Sequence, residues 1–439
     1  MPDPIDALCK AAMAMDAGPP GERALIGRAV ADLLAVAVAG FRSPVLTSAL
    51  AALSQDGGGY PVWNGAPAAT LEDAATLNAA AAHALDFDDL DLASSAHLHA
   101  VVIAALCSAP RWPDEDDLLA SVRAAIMAAQ VIAARLGRGH YGRGWHATAT
   151  IGTLAATVAV ARAWRLPART TANALALAAA QAGGLRLNFG TGAKALQAGF
   201  AAGAALRSVR LAAAGVTGGA VFAPGGFFAL YGDPGASSQA SGQGIADTRP
   251  KLFPCCFATH RLVVAGLNAR EHLGDPLAHP AASIIARLPA ATLAILRDGQ
   301  ARDAVQAAFS PAYCLSAALR DGPPSLGHFV DPLDDPLVAR AARIEVLADD
   351  GGGSPGYDMR DGYAELIIVR PGTAPVTFRA TRLPGDDDAV PVDDLLRRKI
   401  ADCLAWNPPA ARRLANRVRS LPSLARWWPP SADDGPVSG

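Results

Sequence analysis

HATATIGTLAATVAVAR, residues 146–162, is the stretch that decides the fold. From Ala147 to Ala161 it carries no charge, yet it is shorter than the ~20 apolar residues a helix needs to cross a bilayer. Threonines recur within it, and alanine, the best helix former, dominates it. Its side chains are small on every face, so such a helix must be enclosed by other helices rather than lie on a surface. The run predicts a buried helix at the centre of a large helical body.

The neighbouring sequence agrees. RALIGRAVADLLAVAVAG (23–40), DLLASVRAAIMAAQVIAARLG (117–137), TANALALAAAQAGG (171–184) and GFAAGAALRSVRLAAAG (199–215) are alanine-rich and end in glycine, the usual residue after a helix. Helix follows helix from about residue 22 to 215. RPKLFP (249–254) then breaks the pattern with two prolines. Beyond it, ASIIARLPAATLAIL, AARIEVLADD, YAELIIVRPG and APVTFRATRLPG read as strands, interrupted by helical segments near 301–320 and 333–342. Helical sequence returns at DDLLRRKIADCLAW, and the segment from Pro429 onward reads as a disordered tail. The predicted fold is mainly α. A large all-α domain is built from 1–249 and 387–439, with a smaller α+β lid domain inserted at 250–386.

Composition excludes several classes. The 439 residues are 51% hydrophobic with a net charge of −2, which leaves no basic face for nucleic acid or an anionic membrane. The N-terminus lacks a basic region before an apolar run, so no signal peptide is expected. Six cysteines show no CxxC or secretory spacing, which points to reduced thiols and a cytoplasmic location. Only four of the 38 basic side chains are lysines: Lys10, Lys194, Lys251 and Lys399. Where arginine serves every ordinary purpose, a retained lysine suggests a task for its compact ammonium, such as proton transfer. Lys194 and Lys251 lie in unusual surroundings. Lys10 and Lys399 read as solvated charges on ordinary helices.

Four segments hold candidate chemistry. HALDFDDLDLASSAHLHAVV supplies Asp86, Asp88, Asp89, Asp91, His97 and His99, carboxylates beside imidazoles suited to acid–base work. Its spacing matches no zinc signature, so no metal is expected. A bland alternative is an acidic cap before a helix beginning near Val101. GHYGRGWHATATIG places His146 where a glycine-broken loop meets the buried helix, a position that favours a neutral imidazole. GGLRLNFGTGAK ends in Lys194 but lacks the GKS/T ending of a phosphate loop. GGAVFAPGGFFALYG reads as a flexible glycine-rich turn. KLFPCCFATH brings Lys251, Cys255, Cys256 and His260 to the domain boundary, the usual place for an active-site cleft.

HALDFDD, RGWHATATIGTLAA, LALAAAQAGGL…K, KLFPCCFATH and FSPAYCLSAALRDG, in this order, resemble the MmgE/PrpD family, over about residues 20–425. That family includes 2-methylcitrate dehydratase, cis-aconitate decarboxylase and iminodisuccinate epimerase. The resemblance implies an all-α domain with an α+β lid, a homodimer and no metal or organic cofactor. It implies a pocket for a small polycarboxylate lined by Asp86, His97, His146, Lys194, Lys251 and Tyr313. Arg143 and Arg186 are further candidate cations, with Cys256 and Gln197 at substrate-binding positions. Leu90 and Cys256 depart from the decarboxylase-like pattern, and Gln197 stands where many members have a histidine. They argue against cis-aconitate decarboxylation and weaken the case for tricarboxylate dehydration.

The shared chemistry is removal of a proton α to a carboxylate or carbonyl. His146, or Lys251 with a lowered pKa, would be the base, and His97 oriented by Asp86 would serve the other side. Loss of a β-hydroxyl makes a dehydratase, and return of the proton to the opposite face makes an epimerase. A protein that keeps the fold but only binds its ligand is the non-enzymatic alternative.

Overall fold

The computed structural model describes residues 4–54, 58–236, 242–297, 299–349, 362–383 and 392–429. The chain is predominantly helical, with a four-stranded sheet in its second half. The boundary expected at 387 and the tail from 430 lie outside the described residues.

The helix Ala147–Ala163 is buried along nearly its whole length, packed against Glu115–Leu136, Gly192–Ala213 and Leu98–Cys107. Small residues let these axes approach closely. A Cβ on Gly199 would stand 2.5 Å from the Thr76 carbonyl oxygen, and one on Gly40 would stand 1.9 Å from that of Ala81. The helix Leu71–His83 is therefore gripped from both sides by backbone, which fixes the position of His83 at its C-terminal end. Glu115–Leu136 is long and apolar enough to cross a membrane, but two thirds of its apolar window (67%) is buried against other helices.

The apolar cores separate along the chain. The large one draws on residues 5–245 and on the returning helices Val392–Trp406 and Pro408–Arg419, and the two smaller ones draw mainly on residues 253–380. In the sheet, Ile344–Asp349 pairs parallel with Ser283–Pro289, which pairs antiparallel with Ala364–Val369, followed by Val376–Ala380. Ile284, Ala286, Leu288, Leu366 and Ile368 turn inward onto Leu262, Ala265, Leu315 and Leu319 of two helices. The strand predicted to run to Leu296 ends at Pro289 and turns into the short helix Ala290–Leu293.

Two expectations fail here. Lys399 is not a solvated charge: it is 5% exposed, and its Nζ donates to Asp32 Oδ2 at 2.8 Å and to the Phe87 carbonyl at 2.8 Å. Its helix returns from the far end of the chain to pack against Pro20–Gly40, which supplies Asp32, and no local pattern in the sequence reports that. GGAVFAPGGFFALYG is not a featureless turn either. Phe222 meets Phe227 edge-on and Phe228 at a tilt, Phe227 stacks on Tyr231, and Tyr231 stacks on Trp145 with ring centroids 4.5 Å apart.

Candidate active site

Three helix starts converge on one cavity. His97 precedes Leu98–Cys107, His146 precedes Ala147–Ala163, and Lys194 lies in the first turn of Gly192–Ala213. A short antiparallel pairing of Leu90–Asp91 with Thr248–Arg249 then brings Lys251 to the acidic loop. These four side chains line the cavity with Asp86, Tyr141 and Cys256, and its volume is about 30 Å³.

Asp86 organises the cations. Its φ of +47° is a left-handed conformation unusual for a residue with a side chain, and Ser95 on the same cavity wall has φ +56°. The twist presents both the carboxylate and the carbonyl of Asp86 to Lys251. Lys251 Nζ, in a side chain with no exposed surface, donates to Asp86 Oδ1 and, at 2.8 Å, to the Asp86 carbonyl. Lys194 Nζ donates to the same Oδ1 at 2.8 Å and lies 5.3 Å from the ring centroids of Phe189 and Phe309. Burial would raise the Asp86 carboxyl, but the two ammoniums outweigh it and hold the group well below the usual range. Burial likewise opposes the charge on Lys251, but Asp86 and Asp88 overcome it and raise the ammonium above its ordinary value. Lys251 is thus a fixed cation. The expectation of a lowered lysine fails because a carboxylate touches it.

His146 is the opposite case. Burial, reinforced by His83 and Lys194, pushes its imidazole well below the ordinary value, so the ring is neutral at neutral pH. Gln197 fixes which nitrogen holds the proton. Its amide nitrogen donates to the Leu185 carbonyl at 3.2 Å, which leaves its Oε1 to accept from His146 Nδ1 at 2.8 Å. Nε2 therefore carries the lone pair, and it has no hydrogen-bond partner in the protein. Gly184 makes the arrangement possible: its φ is +157°, and a Cβ there would meet Gln197 Oε1 at 2.9 Å and Ala149 Cβ at 2.6 Å.

His97 stands between two carboxylates, with Nδ1 3.2 Å from Asp88 Oδ2 and Nε2 3.7 Å from Asp86 Oδ1. Its backbone N–H donates to Thr148 Oγ1 at 3.1 Å, tying it to the central helix. His83 donates from Nδ1 to Asp88 Oδ2 at 2.8 Å, packs edge-on against His97 at 4.5 Å and stacks with His146 at 5.7 Å. Burial lowers His83 to about 4, against the pull of Asp88. Asp91 and His99 serve the scaffold: Asp91 accepts from Ser94 and Gln130, and His99 Nδ1 lies 2.7 Å from Asp89.

The family model for the MmgE/PrpD N-terminal domain matches residues 11–235. The chain belongs to the MmgE/PrpD family. No curated protein matches it. The matched MmgE/PrpD region contains Asp86, His97, His146, Lys194 and Gln197. Lys251 and Cys256 enter the cavity from the segment that follows.

Not every candidate site residue stands in the cavity. Tyr313 lies outside it, because its ring is packed in the lid core near Phe329 and its hydroxyl donates to the His328 carbonyl at 2.8 Å. Arg143 points to the surface, paired with Asp233 at 2.8 Å and with the Tyr231 carbonyl. Arg186 stacks 4.3 Å over Tyr141 and donates to the carbonyls of Tyr141 and Ala294, so it braces the wall. Gln197 orients His146, as described above. Cys256 does line the cavity, its thiol pushed up to about 12 chiefly by burial.

The sequence reading overlooked His83 and Tyr141. His83 opens the HALDFDD motif, and its spacing from Asp88 was the available signal. Nothing local marks Tyr141. The donor atoms of His83, Asp86, Asp88 and His97 lie within 4.8 Å of one another, close enough for a metal ion. Yet Asp86 Oδ1 already holds two ammoniums, which would repel a dication, so these residues fit a hydrogen-bonded network better than a metal site.

Proposed function

We propose that this member of the MmgE/PrpD family is a cofactor-independent lyase that removes a proton α to the carboxylate or carbonyl of a small acid and expels a β-hydroxyl. The observation that carries this reading is the buried, neutral His146, with Nδ1 locked by Gln197 and Nε2 unpartnered in the cavity. Nε2 takes the α-proton as the C–H bond breaks. The charge that develops on the substrate's oxygens falls to Lys194 and Lys251, whose ammoniums have N–H groups left after binding Asp86. His97, placed between Asp86 and Asp88, protonates the departing hydroxyl, which leaves as water.

The test is α-proton exchange into D2O, followed by NMR, together with appearance of the unsaturated acid. His146→Gln should reduce both by at least ~100-fold, the usual scale of general base catalysis, and a chelator should leave both unchanged. Full activity in His146→Gln would refute the assignment. Exchange with inversion at the α-carbon and no unsaturated product would make the enzyme an epimerase working through the same two groups. We also propose a homodimer. Large apolar side chains left on the surface, Leu187 and Leu230 among them, favour association, and sedimentation tests it.

A further inference from the structure

The charges in and around the cavity cancel before any substrate arrives. Lys194 and Lys251 both pair with Asp86, Asp88 lies behind the lining against His83 and His97, and His83 and His146 are neutral. Even with His97 protonated, the surplus is a single positive charge. None of the residues that line the cavity is an arginine, and the two nearest candidates are committed elsewhere, Arg143 to Asp233 and Arg186 to two backbone carbonyls. A ligand with two or three carboxylates would enter a low-dielectric space without the cations to neutralise it, and burying unpaired charge is costly.

Much of the remaining lining is apolar. Leu90, Phe189, Phe257, Ile295 and Phe309 stand beside Ser95, Tyr141 and Thr148, with Phe189 and Phe309 packed against Lys194. The cavity also shares Asp86 and Phe309 with a larger cleft of about 240 Å³ between the helical body and the lid. Ala84, Leu85, Pro254, Leu326, Phe329 and Trp406 line that cleft. Its arginine, Arg42, is held by the Trp406 carbonyl at 2.9 Å and stacks on the Trp406 ring.

Building on the proton-abstraction reading above, we propose that the substrate is a monoanionic acid with an apolar substituent. Its single carboxylate meets the Lys194–Lys251 pair, and its chain lies along Phe309 toward the larger cleft. In this chain the positions Leu90 and Cys256 therefore set specificity by what they lack. They offer neither a charge nor a strong donor to a second carboxylate.

The experiment compares 3-hydroxyhexanoate, malate and citrate on the full-length wild-type protein, by calorimetry at fixed salt and by α-proton exchange in D2O. 3-Hydroxyhexanoate should bind at least ten-fold more tightly than malate, and citrate should bind most weakly. Equal or tighter binding of malate or citrate, or no measurable binding of 3-hydroxyhexanoate, would overturn the assignment. The exchange measurement separates the two readings. Exchange of malate or citrate alone, lost in His146→Gln, overturns the substrate class and leaves proton abstraction standing. The binding order stated here without exchange of any acid upholds the substrate class and sinks proton abstraction.

Discussion

Changing Gln197 to glutamate tests the base assignment without needing to know the substrate. The change is nearly isosteric, and it converts the acceptor 2.8 Å from His146 Nδ1 from an amide oxygen into a carboxylate. A unit charge about 4 Å from the centre of an imidazolium gains about 4 kcal/mol at an effective dielectric constant near 20. At 1.36 kcal/mol per pH unit this is a rise of about 3 units in the His146 pKa. Desolvation of the new carboxylate takes part of that back, and a rise of at least about 1 unit is expected. In the wild type His146 titrates well below the ordinary histidine value, so Nε2 stays free across the neutral range. In Gln197→Glu the ring should titrate higher than in the wild type, so the acid limb of the activity profile should move to higher pH. Nitrogen-15 NMR of histidine-labelled protein reads the ring directly, and the kcat/KM profile reads its consequence. A shift below about 0.3 unit, or a downward shift, would show that Gln197 does not hold Nδ1 and would remove the argument for Nε2 as the base.

Three further outcomes are expected. Lys399→Met should destabilise the fold by about 3–5 kcal/mol in urea melts, because it strands the buried Asp32, whose carboxyl burial raises to about 6 even beside the lysine; Lys399→Arg should cost about 1–3 kcal/mol through overpacking, while Lys10→Arg at an exposed position stays within about 0.5 kcal/mol. His83 should destabilise the fold on acidification from 6.5 to 4: it is about 4 in the fold against 6.5 unfolded, so at this residue the unfolded chain binds more protons, a loss of about 3 kcal/mol by pH 4, while Asp32, raised to about 6 in the fold, gains a proton on folding and offsets it between about 6 and 4. Below that window, stability also drains from Asp86 and Asp88, whose pKa values are depressed in the fold; the His83 share is read as the difference between wild type and His83→Phe, and a stability gap between the two that is the same at pH 7 and 4.5 would refute it. Lys251→Arg should abolish activity by displacing Asp86 from a fully buried site, and the wild-type rate profile should show no lysine ionisation below about pH 10, since the folded ammonium is raised.

The amino-acid sequence by itself determined which segments are helices, where the sheet begins and which motifs carry the chemistry. That information is local. A run such as 146–162 is too apolar to be a surface helix and too short to span a membrane, and HALDFDD, RGWH and KLFP sit at breaks between elements where side chains are free to converge. Asp86, His97, His146, Lys194 and Lys251, from four separate segments, do meet in one cavity. Only the tertiary structure decided what each of them is. The sequence reading offered Lys251 as a base, but a lysine's proton affinity depends on what touches it, and Asp86 touches it from 165 residues away. Gln197 looked like a lost substrate contact and became the group that orients His146. Tyr313, taken from the family's order along the chain, and Arg143, offered as a further cation, instead point into an apolar core and to the surface. Lys399 and Asp32, separated by 367 residues, are a buried pair that no pattern in either helix announces. Helix propensity and polarity are properties of a segment. Charge state and hydrogen-bond partner belong to a place, and the place exists only once the chain has closed around it.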